Sequence, residues 1–177
     1  MKILAISGSI RAASSNSGLL RAAAARAPAG MELELYDQQI ARLPYFSPDL
    51  DGEGATPPPP VAAFRALLAG CDGVLISCPE YAHGVPGAFK NALDWIVSSG
   101  ELGHKPVALL MASPSGAPYA RAALTPTLQV MEADLVFTAS VVFTRVHLDA
   151  EGRLTEAAVI ATVDQSLAAL AAAIAAR

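Results

Sequence analysis

Apolar residues along this 177-residue chain follow two rhythms. Short runs such as Ile3-Leu4-Ala5-Ile6 and Val74-Leu75-Ile76 alternate with longer stretches in which apolar positions return at helical spacing. Unbroken short runs are what parallel strands need when both of their faces are covered. The pattern predicts strands over 2–7, 32–36, 73–77, 106–112 and 135–142. Between and after them it predicts helices over 16–27, 61–69, 86–98, 121–133 and 156–176. Leu19, Leu20, Ala23 and Ala24 share one face of the first helix, and Phe89, Leu93, Ile96 and Val97 form the core face of the third. Residues 38–60 read as a loop whose closing prolines, Pro57 to Pro60, lead into the second helix. Strict strand–helix alternation of this length implies one α/β domain over 1–177, built on a doubly wound parallel sheet of five strands.

A doubly wound sheet binds ligands beyond the carboxyl ends of its strands, where the winding reverses. That directs attention to the segments after the first, third and fourth strands. The first, Gly8 to Asn16, places Ser9, Ser14, Ser15 and Asn16 at a helix start, where hydroxyls, amides and backbone N–H groups together surround a phosphate. Arg11 adds a fixed cation with a forked donor geometry. The loop has neither the Gly-Lys-Ser/Thr of a triphosphate loop nor three spaced glycines, which disfavours a nucleoside triphosphate or a diphosphate spanning the turn. The second segment, Pro79-Glu80-Tyr81-Ala82-His83-Gly84, can present backbone groups edge-on to a flat ring, with Tyr81 offering an aromatic face or a hydroxyl. The third begins at Ser113 and includes Gly116.

Composition narrows the classes. A net charge of −4 with no basic cluster argues against nucleic-acid binding. Cys71 and Cys78 form no CxxC pair and read as buried thiols of a reducing compartment. His83, His104 and His147 are too dispersed to ligate a metal. The amino-terminal apolar run is too short for a signal peptide or membrane span, so the expected location is the cytoplasm, with no membrane partner.

Taken together, GSIRAASSN, PEYAHGVPGAFKNALDW and SPSG, in that order and separation, resemble the NADPH-dependent FMN reductase family, which includes chromate and quinone reductases and related azoreductases. The resemblance implies a flavodoxin-like fold with strand order 2-1-3-4-5, bound FMN, NADPH or NADH as hydride donor, and a small-molecule electron acceptor. It implies that Ser9, Arg11, Ser14, Ser15 and Asn16 hold the FMN phosphate. Pro79, Glu80, Tyr81 and Ala82 are then expected at the isoalloxazine ring, largely through backbone atoms, and Ser113 and Gly116 near its pyrimidine edge. Lys90, Asn91, Asp94 and Trp95 match a stretch that in relatives lies near the flavin and subunit contacts, and the expected assembly is a homodimer or homotetramer. No side chain is required as a nucleophile. His83 is a candidate proton donor to a quinone, set against a pocket-shaping role; Arg121 and Arg145 are candidates for the adenosine phosphate of NADPH. Two rival readings are a flavodoxin-type single-electron carrier and a regulatory module that binds FMN without turnover. Where relatives usually carry Asn, and often Tyr or Phe next, the chain has Ala82 and His83, which bears on the acceptor face. Pro118 and Tyr119 replace a glycine pair common in the third loop and add bulk beside the expected nicotinamide site, which bears on the hydride donor.

Overall fold

The computed structural model describes residues 1–52, 54–144 and 147–177. Strands β1 (Lys2–Ser7), β2 (Glu32–Tyr36), β3 (Gly73–Cys78), β4 (Pro106–Ser113) and β5 (Asp134–Val142) form one five-stranded sheet in the order β2-β1-β3-β4-β5. Every pairing is parallel. All residues of β3 and β4 are buried, as their unbroken apolar runs require. Helices α1 (Ser15–Ala25) and α5 (Ala157–Ala175) cover one face with Ile3, Ala5, Leu75, Ala108 and Leu110 beneath them. Helices α2 (Pro59–Ala69), α3 (Gly87–Asp94) and α4 (Pro118–Val130) cover the other, over Leu4, Ile6, Val74, Ile76, Leu109 and Met111. Alternate residues of each strand thus feed opposite cores, the period-two consequence of the pleat.

Helix α5 has the length and apolarity of a bilayer-crossing segment. Its Val159, Val163, Leu167 and Leu170 stripe is buried against the sheet, and its Asp164 accepts a forked pair of hydrogen bonds from Arg26 at 2.7 and 2.6 Å. It is an alanine-rich helix that lies on the sheet with one stripe buried.

Two expectations at α3 need correcting. Val97 does not face the core: the helix ends at Asp94, and the turns that follow leave Val97 52% exposed. Trp95 is fully buried within its own chain. Its ring meets Phe46 edge-on at 5.2 Å, and its Nε1 donates to the Pro44 carbonyl at 2.8 Å. Asn91 Nδ2 donates to the same carbonyl at 2.9 Å while its Oδ1 accepts from Phe46 N–H at 2.8 Å. Asn91 and Trp95 therefore fasten the loop after β2 onto α3, and Trp95 is no longer an argument for a subunit contact. That loop contains short 3₁₀ turns at Gln39–Arg42 and Pro48–Leu50, which satisfy part of its backbone.

A second fastening is ionic. Arg65 on α2 donates to Asp51 Oδ1 at 2.5 Å and to the Trp95 carbonyl, and Ser98 Oγ donates to Asp51 Oδ2 at 2.5 Å. The Asp51 side chain is only 6% exposed. Burial alone would push its carboxyl up, but the hydrogen bonds from Ser98 and Arg65 and the guanidinium charge overcome that and hold it below the ordinary value. A depressed folded value gives stability that is complete above the unfolded value of 3.8 and is lost as pH falls through the folded one. Replacing Asp51 by Asn should destabilise the fold at pH 7 by about 1–2 kcal/mol, between an exposed and a buried pair. In urea titrations the gap between wild type and Asp51→Asn should hold from neutrality down to about pH 4 and close only below it, as the folded carboxylate protonates; a gap that persists unchanged well below about pH 4 would remove Asp51 from the acid sensitivity.

Candidate functional site

The carboxyl ends of β1, β3 and β4 deliver three loops to one edge of the sheet, and a cavity of about 180 Å³ lies between them. Ser9, Arg11, Ser14, Ser15, Asn16, Pro79, Glu80, Tyr81 and Ser113 line it, with Ala112, Pro114 and Phe143 completing the wall. A wider cleft of about 440 Å³ opens on the outer side of α1, between Ser14, Arg21 and the 148–153 turn. Its arginines are already paired, Arg21 with Asp37 and Arg153 with Asp149 and Glu151, so the smaller cavity has the better claim to an anionic ligand.

The first loop is built on hydroxyls. Ser14 caps α1 with backbone φ −71° and ψ 131°, its Oγ accepting from the N–H groups of Asn16 at 3.2 Å and Ser17 at 3.4 Å. Ser17 Oγ donates to Ser7 Oγ at 3.1 Å, and Ser7 Oγ also accepts from Ser9 N–H at 3.4 Å. Ser77 Oγ near the end of β3 donates to Asn16 Oδ1 at 2.8 Å, which fixes the amide and leaves both Nδ2 hydrogens to offer a ligand. Ser7, Ser17 and Ser77 are fully buried. Sequence reasoning passed over all three; for Ser7 and Ser77 the signal was a serine at the end of an apolar strand, where a buried hydroxyl must find a partner. Gly8 is required by close approach, because a Cβ there would lie 2.9 Å from Cys78 Sγ and 3.3 Å from Cys78 Cα. Cys78 itself is fully buried, and burial pushes its thiol well above the ordinary range, so it is a packing residue beside the site rather than a redox group.

Arg11 is exposed, and among the described residues it makes no ion pair. Its backbone N–H donates to Ser9 Oγ at 3.3 Å, and the same oxygen lies 3.1 Å from the Tyr81 hydroxyl. This contact joins the first loop to the second. A cation with no carboxylate partner, next to a capped helix start and unbonded hydroxyl hydrogens, fits a phosphate monoester.

The second loop is a tight two-residue turn. Tyr81 N–H donates to the Gly84 carbonyl at 3.1 Å and Gly84 N–H to the Tyr81 carbonyl at 3.0 Å. Ala82 and His83 between them stand at φ +48° and +58°. Positive φ at both central positions is the pattern of a type I′ turn, which Asn-Gly adopts readily and Ala-His does not. Each such residue costs about 1–2 kcal/mol. The third loop repeats the device with Gly116 at φ +76° and Ala117 at +52°. Such strain at two converging loops is characteristic of a ligand clamp.

Glu80 turns its carboxylate away from the role of ring ligand. Its Oε2 accepts from Tyr119 N–H at 2.8 Å and Ala120 N–H at 2.9 Å, so it caps α4, whose own N-cap Ala117 has no side-chain acceptor. The His83 ring lies on Tyr119 with centroids 4.3 Å apart and 21° between planes. Ala82 and Gly116 do not line the cavity; they shape its loops. Arg121 lies outside it, donating to Ser140 Oγ at 3.3 Å on the outer face of α4, and Arg145 lies outside the described residues. Lys90 and Asp94 pair with each other on the surface at 2.5 Å. Phe143, which closes the cavity from the end of β5, was not anticipated, because only the loops after β1, β3 and β4 were expected to contribute.

A doubly wound sheet in the order β2-β1-β3-β4-β5 with an anion cradle after β1 and a ring-sized turn after β3 defines a flavodoxin-like mononucleotide-binding protein. The chain belongs to the NADPH-dependent FMN reductase family, whose model matches residues 1–147. It is 35% identical over 176 residues to an NAD(P)H-dependent FMN reductase of Pseudomonas aeruginosa, covering 96% of this chain and 93% of that one. An NADPH:quinone oxidoreductase of Arabidopsis thaliana is 41% identical over 98 residues, 54% of this chain and 48% of its own. Among solved structures, the flavoenzyme NAD(P)H:(acceptor) oxidoreductase FerB of Paracoccus denitrificans superposes with a TM-score of 0.83 at 26% identity, covering 98% and 97% of the two chains. The chain is accordingly an FMN-dependent oxidoreductase that uses NADPH or NADH to reduce small acceptors, and a single-electron carrier is not favoured.

The Glu80 cap is a separable structural element. Glu80→Ala should cost about 1 kcal/mol of stability by freeing two helix N–H groups, and Glu80→Gln should recover most of it, as read from thermal midpoints. Equal losses in both variants would show that the charge, and not the hydrogen-bond acceptor, matters.

Proposed function

We propose that the chain, as one FMN-binding domain over 1–177, holds the FMN phosphate with Ser9, Arg11, Ser14, Ser15 and Asn16. The turn Pro79-Glu80-Tyr81-Ala82 faces the isoalloxazine ring, and Ser113 with Gly116 shapes its pyrimidine side. The observation that carries this reading is Arg11, which has no ion pair among the described residues and stands just before α1, in one cavity with the Tyr81 turn.

When bound, FMN supplies the hydride-accepting and hydride-donating ring. The protein's residues bind and orient. Arg11 and the Ser14-capped helix start neutralise the phosphate in an acidic protein whose overall field opposes an anion. Ser9 and Tyr81, hydrogen-bonded to each other, fix the spacing between the phosphate and ring subsites. Pro79 has no N–H and the Tyr81 N–H is taken by the Gly84 carbonyl, so the backbone donors that this segment would offer the ring are those of Glu80 and Ala82. Tyr81 is 48% exposed, so the mouth of the cavity stays open to a second planar molecule.

The acceptor class proposed is a quinone or another planar conjugated acceptor such as an azo compound, supported by the quinone oxidoreductases and the azoreductase of a Bacillus species among the relatives. Chromate and other oxyanions are reachable through the same open mouth. We place the protein in the cytoplasm on its two buried free thiols. A homodimer or homotetramer is supported by Tyr45, 92% exposed on the loop fastened by Asn91 and Trp95, and by the exposed Val97 two residues after Trp95. Sedimentation at micromolar concentration should show a dimer or larger species for the wild type and a shift toward monomer for Tyr45→Asp; a monomeric wild type ends the oligomer reading.

The experiment that tests the functional reading compares FMN with riboflavin. Arg11→Ala should weaken FMN binding by about 10–100-fold, the equivalent of one charge-assisted hydrogen-bonded contact, and leave riboflavin binding within about twofold. Steady-state oxidation of NADPH and NADH with a soluble benzoquinone should proceed in the wild type. A protein that binds neither flavin, or whose Arg11→Ala variant loses both equally, contradicts the phosphate assignment.

A further inference from the structure

The turn between Tyr81 and Gly84 is the strained part of the site, and nothing in its own sequence holds it. Both central residues sit at positive φ. Alanine lacks the freedom of glycine, and it lacks the side-chain carbonyl with which asparagine bonds locally in that conformation. Two backbone hydrogen bonds close the turn, but closure does not favour this backbone region over an open loop.

What the turn lacks comes from the start of α4. The Tyr119 ring stacks on His83, one of the two strained residues. The Tyr119 backbone N–H is held by Glu80, the residue that precedes the turn. Pro118 fixes φ at the helix start, so the direction of Tyr119 is set by α4 and not by the turn. Tyr119 is 54% exposed and His83 is exposed, so the stack contributes no core packing. At the first residue of the same turn, the Tyr81 hydroxyl reaches Ser9 Oγ, and through it the phosphate loop. A brace from Tyr119 through His83 to Tyr81 therefore connects α4 with both ligand subsites.

We propose that Tyr119 is a positioning residue for the flavin turn: stacked on His83, it holds the Ala82-His83 backbone at positive φ and so keeps Tyr81 in register with Ser9. The inference rests on the FMN reading, which the comparison of FMN with riboflavin tests separately. It carries a consequence that ordinary surface packing lacks. A residue at position 82 that favours positive φ by itself should make Tyr119 dispensable.

The test measures FMN dissociation constants by fluorescence quenching with apoprotein, for wild type, Tyr119→Ala, Tyr119→Phe, Ala82→Asn and the double variant Ala82→Asn/Tyr119→Ala. A second readout is the proton NMR shift of the His83 imidazole in the apoprotein. Tyr119→Ala should weaken FMN binding about two- to tenfold, the range of one aromatic contact, with an unchanged far-ultraviolet spectrum. Tyr119→Phe should bind as wild type. The loss should disappear when Tyr119→Ala is made on top of Ala82→Asn, and the His83 ring protons should move downfield when Tyr119 is removed. Wild-type affinity in Tyr119→Ala overturns the proposal. So does an equal loss from Tyr119→Ala with and without Ala82→Asn, which would place the effect of Tyr119 outside the turn. If the wild type itself binds no FMN, the functional reading fails, and the apoprotein NMR shift alone decides whether the stack exists in solution; no shift overturns it.

Discussion

The buried contact between the hydroxyls of Ser7 and Ser17 sets the distance between the end of β1 and the first turn of α1. Both side chains are fully buried, so each hydroxyl left unpaired would carry a desolvation penalty of about 1–3 kcal/mol. That penalty makes the geometry specific: α1 must start where Ser17 reaches Ser7, which places the Ser14 cap and the backbone of the first loop over the end of the sheet. Ser77 and Asn16 make the equivalent tie from β3. The two ties set α1 against two neighbouring strands at once, and a helix so fixed presents its N-terminal N–H groups at a constant position toward the cavity. A phosphate site that depends on partial charges over a few ångströms needs that constancy more than it needs additional cations.

The sheet explains why the polar groups gather at this end. Parallel strands run in one direction, and β3 and β4 are buried throughout, so their polar connections emerge only at the rims. At the carboxyl rim the helices begin, and helix starts expose donors. The same rim therefore holds the Ser14 and Glu80 caps, the Tyr81–Gly84 turn and the exposed Arg11, while left-handed residues also occur at the opposite rim, at His104 and Glu132. The opposite rim holds Lys105, which donates to the Cys71 carbonyl, and the Arg177 pair with Asp134, contacts that close the sheet without forming a comparable cradle.

Strand and helix positions were legible because buried parallel strands leave an unmistakable apolar run and because prolines mark helix starts. Pro59 opens a helix and Pro86 directly precedes the next, as their positions suggested, whereas Pro118 opens α4 three residues before the start expected at Arg121. Boundaries moved where the sequence carries no local signal. The third helix stops at Asp94 because Arg65 and the loop after β2 capture the Trp95 carbonyl and ring, tertiary contacts that helical periodicity cannot reveal. The loops of the site were legible as places, through their position after β1, β3 and β4. The division of labour within them was not. Glu80 reads as a ring or solvent residue in sequence, yet its carboxylate belongs to a helix that begins far along the chain. Phe143 lies one residue beyond the strand expected over 135–142, with no role expected of it, yet it walls the cavity.

Local substitutions at the rim therefore have to be read as a set. Ala82 and His83 in a turn that favours Asn-Gly are unfavourable considered alone, and Pro118-Tyr119 considered alone adds bulk to a loop near the mouth. Together they exchange an intrinsic preference of the turn for an external brace between neighbouring loops, with Glu80 supplying the backbone half and the His83–Tyr119 stack the side-chain half. An external brace couples the turn to α4, whereas an intrinsic preference would leave the two loops independent. In this chain, then, any displacement of the α4 start reaches Tyr81, and through the Tyr81–Ser9 hydroxyl contact it reaches the loop that carries Arg11.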